Sequence, residues 1–376
     1  MISLKIVYIS TSVLPSTRAN SIHVMKMCQA FSKNGHQVTL FAIEGKHMDD
    51  IYEFYGVKNN FDVIRIKIPK YIIKGKGWVY SFQVRRFIKK NMTVDLVYSR
   101  DAKSLFLMKR LKKSLIYESH AISTWQRVKC LEKKLFQSVY FLRLVVISEA
   151  LKTDYDDLYG DLIANKTIIA HDGADIPNQN DKTNPKADNR LTIGYIGHLY
   201  KGRGIDVIIH LAKKLSQFNF KIIGGNLEDI DYWKRNSIDV TNLDFLGYVP
   251  NGELSKYYKD LDIMLAPYQR KVAVAGNKNS DTSRWMSPMK LFEYMSYEKP
   301  IVCSNLPVLR EVMKNDYNCL LCDPENIYDW TKAVLKFAND KDYRDRIAKQ
   351  AFNDLENNYT WLKRALIVLE KVSIRN

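Results

Sequence analysis

Short apolar runs rich in Val, Ile and Tyr alternate along the chain with longer amphipathic segments. The strand-like runs of the first half are LKIVYIS (4–10), HQVTLFAI (36–43), FDVIRIKI (61–68), VDLVYS (94–99), SLIYES (114–119) and LRLVVIS (142–148). Between the first two, IHVMKMCQAFSKNG places Val24, Met27, Cys28 and Phe31 on one helical face, and Gly35 marks the stop. Runs apolar on both faces and separated by helices predict a parallel α/β sheet. The polar stretch IPNQNDKTNPKADNR (176–190) has two prolines and no apolar period, so it reads as a linker. The alternation then restarts with LTIGYIG (191–197) and a helix facing inward through Ile205, Ile208, Ile209, Ala212 and Leu215. FKIIGG (220–225), LDFLGYV (243–249), DIMLAP (262–267) and KPIVCS (299–304) follow.

This pattern predicts an α/β protein of two facing Rossmann-like domains, a length of 376 residues being too long for one ordinary core. The expected bounds are 1–178 and 190–359, with a final helix at 360–376 crossing back to the first domain. Ligands of open α/β sheets sit outside the carboxyl ends of the strands, so the cleft between the domains is the expected place for chemistry.

Composition narrows the class. Apolar residues make up 46% of the chain and charged residues 26%, as in soluble globular proteins. The start, MISLKIVYIS, lacks the features of a secretory signal, and no run approaches the roughly 20 apolar residues of a membrane span. A cytoplasmic location is therefore expected, with peripheral contact to the inner face of the membrane as an option. Five scattered cysteines suit a reducing compartment, and Cys319 and Cys322 read as two small residues on a strand.

Charge is unevenly spread. Residues 1–150 hold 26 Lys and Arg against 10 Asp and Glu, net +16, whereas residues 151–376 hold 32 against 31, net +1. An anionic partner for the first part alone is implied. The segment RRFIKKN (85–91), with Lys109, Arg110, Lys112 and Lys113, could lie on acidic headgroups or form a solvated basic face. Nucleic acid is not expected, because no stacking aromatics recur at fixed spacing. The acidic run DYDDLYGD (154–161) reads as a solvated face, and no metal is expected.

The densest chemical signal is SPMKLFEYMSYEKPIVCSNLPVLREVM (287–313). Ser287 is a good N-cap and Pro288 a good first helical residue. Unpaired amides of a first turn attract anions, and Lys290 in that turn opposes the helix dipole by about a few tenths of a kcal/mol unless an anion joins it. Glu293 shares its face and could accept hydrogen bonds from ribose hydroxyls; a plain Lys290–Glu293 surface pair is the alternative. Upstream, IGYIGHLYKGRGID (193–206) combines a strand, a glycine turn beginning at Gly197 and a helix start, with basic residues that could neutralise a diphosphate.

These segments resemble the donor-binding signatures of retaining glycosyltransferases of the GT-B fold, family four, and in particular a bacterial subgroup of surface-polysaccharide assembly. The resemblance implies an enzyme using a nucleotide-sugar donor and a glycan or lipid-linked acceptor, without cofactor or metal. It gives Glu293 the ribose and places Ser287, Pro288 and Met289 where a loop meets the donor sugar and phosphates. Arg203 takes the diphosphate together with Lys290, Lys201 stands in reserve, and His198 occupies an arginine position. Tyr248 and Val249, in LGYVPNGELSKYY, flank the base, or Tyr248 covers the sheet end. His120, in YESHA, reaches hydroxyls of the donor sugar. Arg18 and Asn20, in the loop after the first strand, and Arg100, ending VYSRD, serve the acceptor. Asn20 or Ser21 as an N-cap, and Arg100 paired with Asp101 or Glu118, are the structural alternatives. Trp285 replaces the family's first motif glutamate, with Asp281 as a weak substitute, and Glu298 stands where a glycine is usual. A fold relative that epimerises sugar nucleotides remains the competing activity, with a basic nucleic-acid-binding protein as the remoter alternative.

Overall fold

The computed structural model describes residues 3–46, 48, 50–69, 74–177, 190–274, 280–372 and 374. Of the linker read at 176–190, residues 178–189 lie outside them. The chain divides into two units, Met1–His171 with Trp361–Asn376, and Asp172–Thr360.

The first unit is built on β1 (Lys5–Leu14), β2 (Gln37–Glu44), β3 (Asp62–Ile66), β4 (Leu96–Ser99), β5 (Ser114–Ser119), β6 (Phe141–Val146) and β7 (Thr167–Ile169). They form one parallel sheet in the order β3-β2-β1-β4-β5-β6-β7. Tyr8, Ile9, Val97, Tyr98, Leu115 and Ile116 are fully buried along its central strands, as expected where helices cover both faces. The order reverses between β1 and β4, which makes the loops after these strands the expected place for a ligand. Helix Ala19–Lys33 ends in a Schellman turn: Gly35 adopts φ +90°, and His36 N–H bonds the Phe31 carbonyl.

The second unit contains β8 (Thr192–Ile196), β9 (Asn219–Ile223), β10 (Leu243–Gly247), β11 (Ile263–Ala266), β12 (Ile301–Ser304) and β13 (Leu320–Cys322), parallel in the order β10-β9-β8-β11-β12-β13. Its switch point lies between β8 and β11. Apolar side chains pack on both faces, one layer centred on Tyr258, Phe292 and Tyr294, the other on Ile208, Trp330 and Phe337. Fully buried Trp330 donates its indole N–H to the Asp323 carbonyl, and its truncation to Ala should cost about 3–5 kcal/mol. Cys319 and Cys322 are buried free thiols at β13, their thiols pushed up by burial, Cys322 to about 12.

Two departures from the sequence reading are local. β1 runs on to Leu14, four residues past the expected end, through a register irregularity between Ile9 and Val13. β7 was not expected, because a half-buried strand of three residues is too short to show a period. The acidic run 154–161 lies on helix Glu149–Tyr159 and the turn after it, with Asp156 paired to Lys152 at 2.7 Å. Among the described residues, no helix is long and apolar enough to cross a membrane.

Candidate functional site

The loops of the second unit's switch point draw two cations together. After β8 the chain turns through Gly197 to Gly204, which caps helix Ile205–Lys214 with φ +72°. A Cβ on Gly204 would stand 1.9 Å from the Pro267 carbonyl in the loop after β11, so only glycine permits this approach. A Cβ on Gly197 would meet Lys290 Nζ at 2.4 Å. The missing side chain is the space into which the lysine reaches.

Lys290 Nζ lies 3.8 Å from the centroid of Tyr195 and 5.2 Å from that of Tyr268, while the Arg203 guanidinium lies 5.3 Å from the Tyr268 centroid and 4.8 Å from that of Tyr200. Arg203 donates to the Tyr200 hydroxyl at 2.9 Å. The Lys290 amine and Arg203 Nε are buried and donate to no acceptor among the described residues. Burial first, and the Arg203 charge second, hold Lys290 well below the ordinary lysine range, against the pull of Glu293. Burial and the same two cations hold His198, stacked on Tyr200, down to about 4. Aromatic faces solvate these cations partially, and an anion would complete the shell. Lys201 is exposed outside this cluster.

Helix Met289–Ser296 is pinned to β8 by the buried Tyr294 hydroxyl, which bonds both the N–H (3.0 Å) and the carbonyl (3.2 Å) of Ile196. Its start differs from the expectation. Pro288 occupies the N-cap position and Met289 is the first helical residue, with no side chain capping the turn. Ser287 is not the N-cap, because its buried hydroxyl instead accepts the Asp172 N–H at 2.8 Å. The helix start is thus left without a side-chain cap among the described residues.

Glu293, one turn on from Lys290, is half-buried and accepts from the Tyr258 hydroxyl (3.1 Å) and the Asn251 amide (3.3 Å). Tyr258 is itself stacked on Tyr297 at 4.0 Å. Because the Lys290 amine is buried and unbonded, the plain surface pair is set aside. Val249 packs against the core cluster that contains Tyr258, whereas Tyr248 is 44% exposed. Asp281 spends one carboxylate oxygen on the N–H groups of Val272 and Ser283, so it ties its own loop. Trp285 is half-buried. Glu298 adopts φ +49° at the end of the helix, where Lys299 N–H bonds the Tyr294 carbonyl and Glu298 N–H bonds that of Met295. This Schellman geometry is the physical reason a glycine is usual there.

In the first unit, His120 follows β5 and its Nε2 lies 2.5 Å from Glu118 Oε1. Glu118 is fully buried and also faces His23 (3.1 Å), the Tyr98 hydroxyl and Arg364 (3.0 Å). Burial opposes its ionisation; Arg364, then His23 and His120, outweigh that and hold the carboxyl well below its usual range. Arg100 donates to Asn20, not to Asp101 or Glu118, and Asn20 in turn donates to Ser12 at 2.7 Å. Asn20 and Ser21 do not cap helix Ala19–Lys33. Its N-cap position is the exposed Arg18, since Ser21 bonds Ser16 at 2.7 Å and Asn20 is held by Arg100 and Ser12.

Sequence reasoning missed Tyr195, Tyr268, Asn251, Tyr258, Glu118 and Arg364. Tyr195 and Glu118 sit beside recognised positions, as a tyrosine in IGYIG and an acid two residues before His120. Arg364 carries no local signal for this role, because Glu118, Ala170 and His171, to which it donates, are more than 190 positions away.

Comparison with known proteins identifies the family and the fold. Residues 21–176 match the family model Glycosyltransferase Family 4, and residues 177–354 match Glycosyl transferases group 1. An uncharacterized glycosyltransferase of Methanocaldococcus jannaschii is 21% identical over 83% of this chain and 85% of its own length. An uncharacterized protein of the cps region of Klebsiella pneumoniae is 23% identical over 58% of this chain and 60% of its own. Among solved structures, Anabaena HepE in complex with UDP and glucose superposes with a TM-score of 0.72 at 15% identity, over 98% of each chain.

Proposed function

We propose, from the premise that this chain belongs to glycosyltransferase family four and has the retaining GT-B fold, that it builds a cell-surface polysaccharide by moving a sugar onto a glycan or lipid-linked acceptor. The donor is a nucleotide sugar. The observation that carries the site assignment is the pair of buried cations, Lys290 and Arg203, sharing the Tyr268 ring at the switch point of the second unit. A diphosphate is the doubly anionic group that such a pair fits.

In this reading the diphosphate takes Lys290, Arg203 and the uncapped first turn beginning at Met289. Glu293, held by Tyr258 and Asn251, accepts from the ribose hydroxyls. The two cations stabilise charge as the bond from the sugar to the phosphate oxygen breaks. The acceptor hydroxyl bonds the same carbon, and its proton goes to the departing phosphate. Val249 and Tyr248 serve the base, while His120, Arg18, Asn20 and Arg100 of the first unit serve the transferred sugar and the acceptor.

An anionic membrane surface is the proposed setting. Helix Lys76–Asn91 leaves Trp78 41% and Phe82 50% exposed, and Arg85 lies 5.2 Å from the Phe82 centroid. It packs beside helix Ala102–Met108, which packs beside helix Gln126–Phe136, so one layer presents Arg86, Lys89, Lys90, Arg127, Lys133 and Lys134. Aromatics among basic residues suit an acidic headgroup layer. Binding to phosphatidylglycerol vesicles well above binding to phosphatidylcholine vesicles in low salt is expected, and equal binding to both would overturn this part.

The donor site is tested by a thermal-shift screen of UDP, GDP, dTDP, CDP and ADP sugars. A true donor at 100 times its Kd should stabilise by about 2.7 kcal/mol. Arg203→Ala and Glu293→Ala should abolish the shift. If no nucleotide stabilises the protein, the donor site is refuted.

A further inference from the structure

Glu118 has no part in the roles above, yet it is fully buried and bonded through both carboxylate oxygens. Its Oε1 faces His120 Nε2 (2.5 Å), Arg364 Nη2 (3.0 Å) and His23 Nε2 (3.1 Å), and its Oε2 faces the Tyr98 hydroxyl and Arg364 Nη1 (3.4 Å). Stability alone does not require such a group, because a buried ion pair is often matched or bettered by apolar side chains of the same volume. The placement is informative instead. Glu118 stands at the carboxyl end of β5, two residues before the half-buried His120, whose ring also meets His23 edge-on at 5.0 Å.

We propose that Glu118 is the positioning residue of His120, and that Arg364 of the C-terminal helix holds Glu118 in place for that task. An ionised carboxylate only accepts hydrogen bonds, so His120 carries hydrogen on Nε2 and its ring orientation follows from that bond. A buried carboxylate that sets the tautomer and angle of a working imidazole is a recurrent device in enzymes. Arg364 fixes the carboxylate in turn. It donates to both carboxylate oxygens and to the carbonyls of Ala170 (3.1 Å) and His171 (2.8 Å), at the point where the chain leaves the first unit. The return of helix Trp361–Leu369 to this unit thereby becomes a requirement of the site.

The proposal rests on His120 being a working group of the transfer reaction, and its test separates the two. Long-range ¹H–¹⁵N spectra of the full chain, with His120 assigned by its loss in His120→Ala, should show a single Nε2–H tautomer. In Glu118→Gln and Glu118→Asp that signal should move or split between tautomers. A wild-type Nδ1–H tautomer, or an unchanged His120 signal in both variants, overturns the proposal whatever the substrate. The second arm measures release of nucleoside diphosphate from the donor found by thermal shift. Each Glu118 variant should lower kcat on the order of 10- to 100-fold, the range for a lost partner of a metal-bound imidazole, with little change in donor KM. In the His120→Ala background the same substitutions should have little further effect. Equal losses in both backgrounds mark Glu118 as structural only. Should Glu118→Gln fail to fold, Glu118→Asp and Arg364→Lys carry the same cycle.

Discussion

Replacing Lys290 by Met should make the protein more stable and a poorer binder of nucleotide. The amine is buried over Tyr195 and Tyr268 without a hydrogen-bond acceptor among the described residues, and Arg203 shares the Tyr268 ring. An unsatisfied buried polar group costs about 1–3 kcal/mol, and Met fills the same space without it. For a domain of this size, each kcal/mol shifts Tm by roughly 2–4 °C. The diphosphate loses one charged contact worth about 1.5–3 kcal/mol, so Kd should rise roughly 10- to 150-fold. The pH dependence follows from the depressed amine. The unfolded chain binds a proton that folded Lys290 has lost, so stability of the free protein rises with pH between the lowered folded value and the ordinary lysine value near about 10.4. A bound diphosphate favours the charged amine, so binding takes up a proton. In that window nucleotide affinity should fall by up to about tenfold per pH unit. Thermal melts of wild type and Lys290→Met, with and without UDP, at steps between about pH 6 and 9 read all of these effects. Calorimetry in two buffers of different ionisation enthalpy counts the proton. A variant that melts lower than wild type and binds UDP equally well, with no proton uptake in either, would refute the reasoning.

Glu293→Gln keeps an acceptor for Tyr258 but loses the charge for the ribose. Wild type should prefer UDP to 2′- and 3′-deoxy UDP in melting shifts, and the variant should distinguish them less. Gly204→Ala must push the Pro267 carbonyl from 1.9 Å and strain a left-handed residue, so a loss of about 2–4 kcal/mol in denaturant melts and loss of nucleotide binding are expected. Glu298→Gly removes a left-handed side chain at the helix end and should stabilise by about 0.5–1 kcal/mol without altering nucleotide affinity.

Much of this was legible before any coordinates, and the reason lies in range. Parallel strands and their helices are written in apolar periodicity, which is local, so β1, β2 and β5 and the helix facing inward through Ile208 could be placed from residues a few positions apart. Glycine punctuation and a lysine in a first helical turn are equally local, and they made Gly197, Lys290 and Glu293 candidates; the family resemblance then gave Glu293 its role and singled out Arg203. Local rules failed where a distant group competed. Ser287 has the right chemistry for a cap, but its hydroxyl is claimed by Asp172 N–H, 115 positions away. Asn20 is likewise drawn off by Arg100, 80 positions on. Only the folded chain brings Tyr268 under two cations, Tyr258 and Asn251 to Glu293, and Arg364 to Glu118. Those contacts arise because strand order and the returning helix decide which ends meet; burial then lowers the proton affinity of Lys290, while Arg364, His23 and His120 lower that of Glu118 against burial. The chain's own pattern determined which elements form. The tertiary structure decided which side chains share a low-dielectric space, and that sharing sets the chemistry.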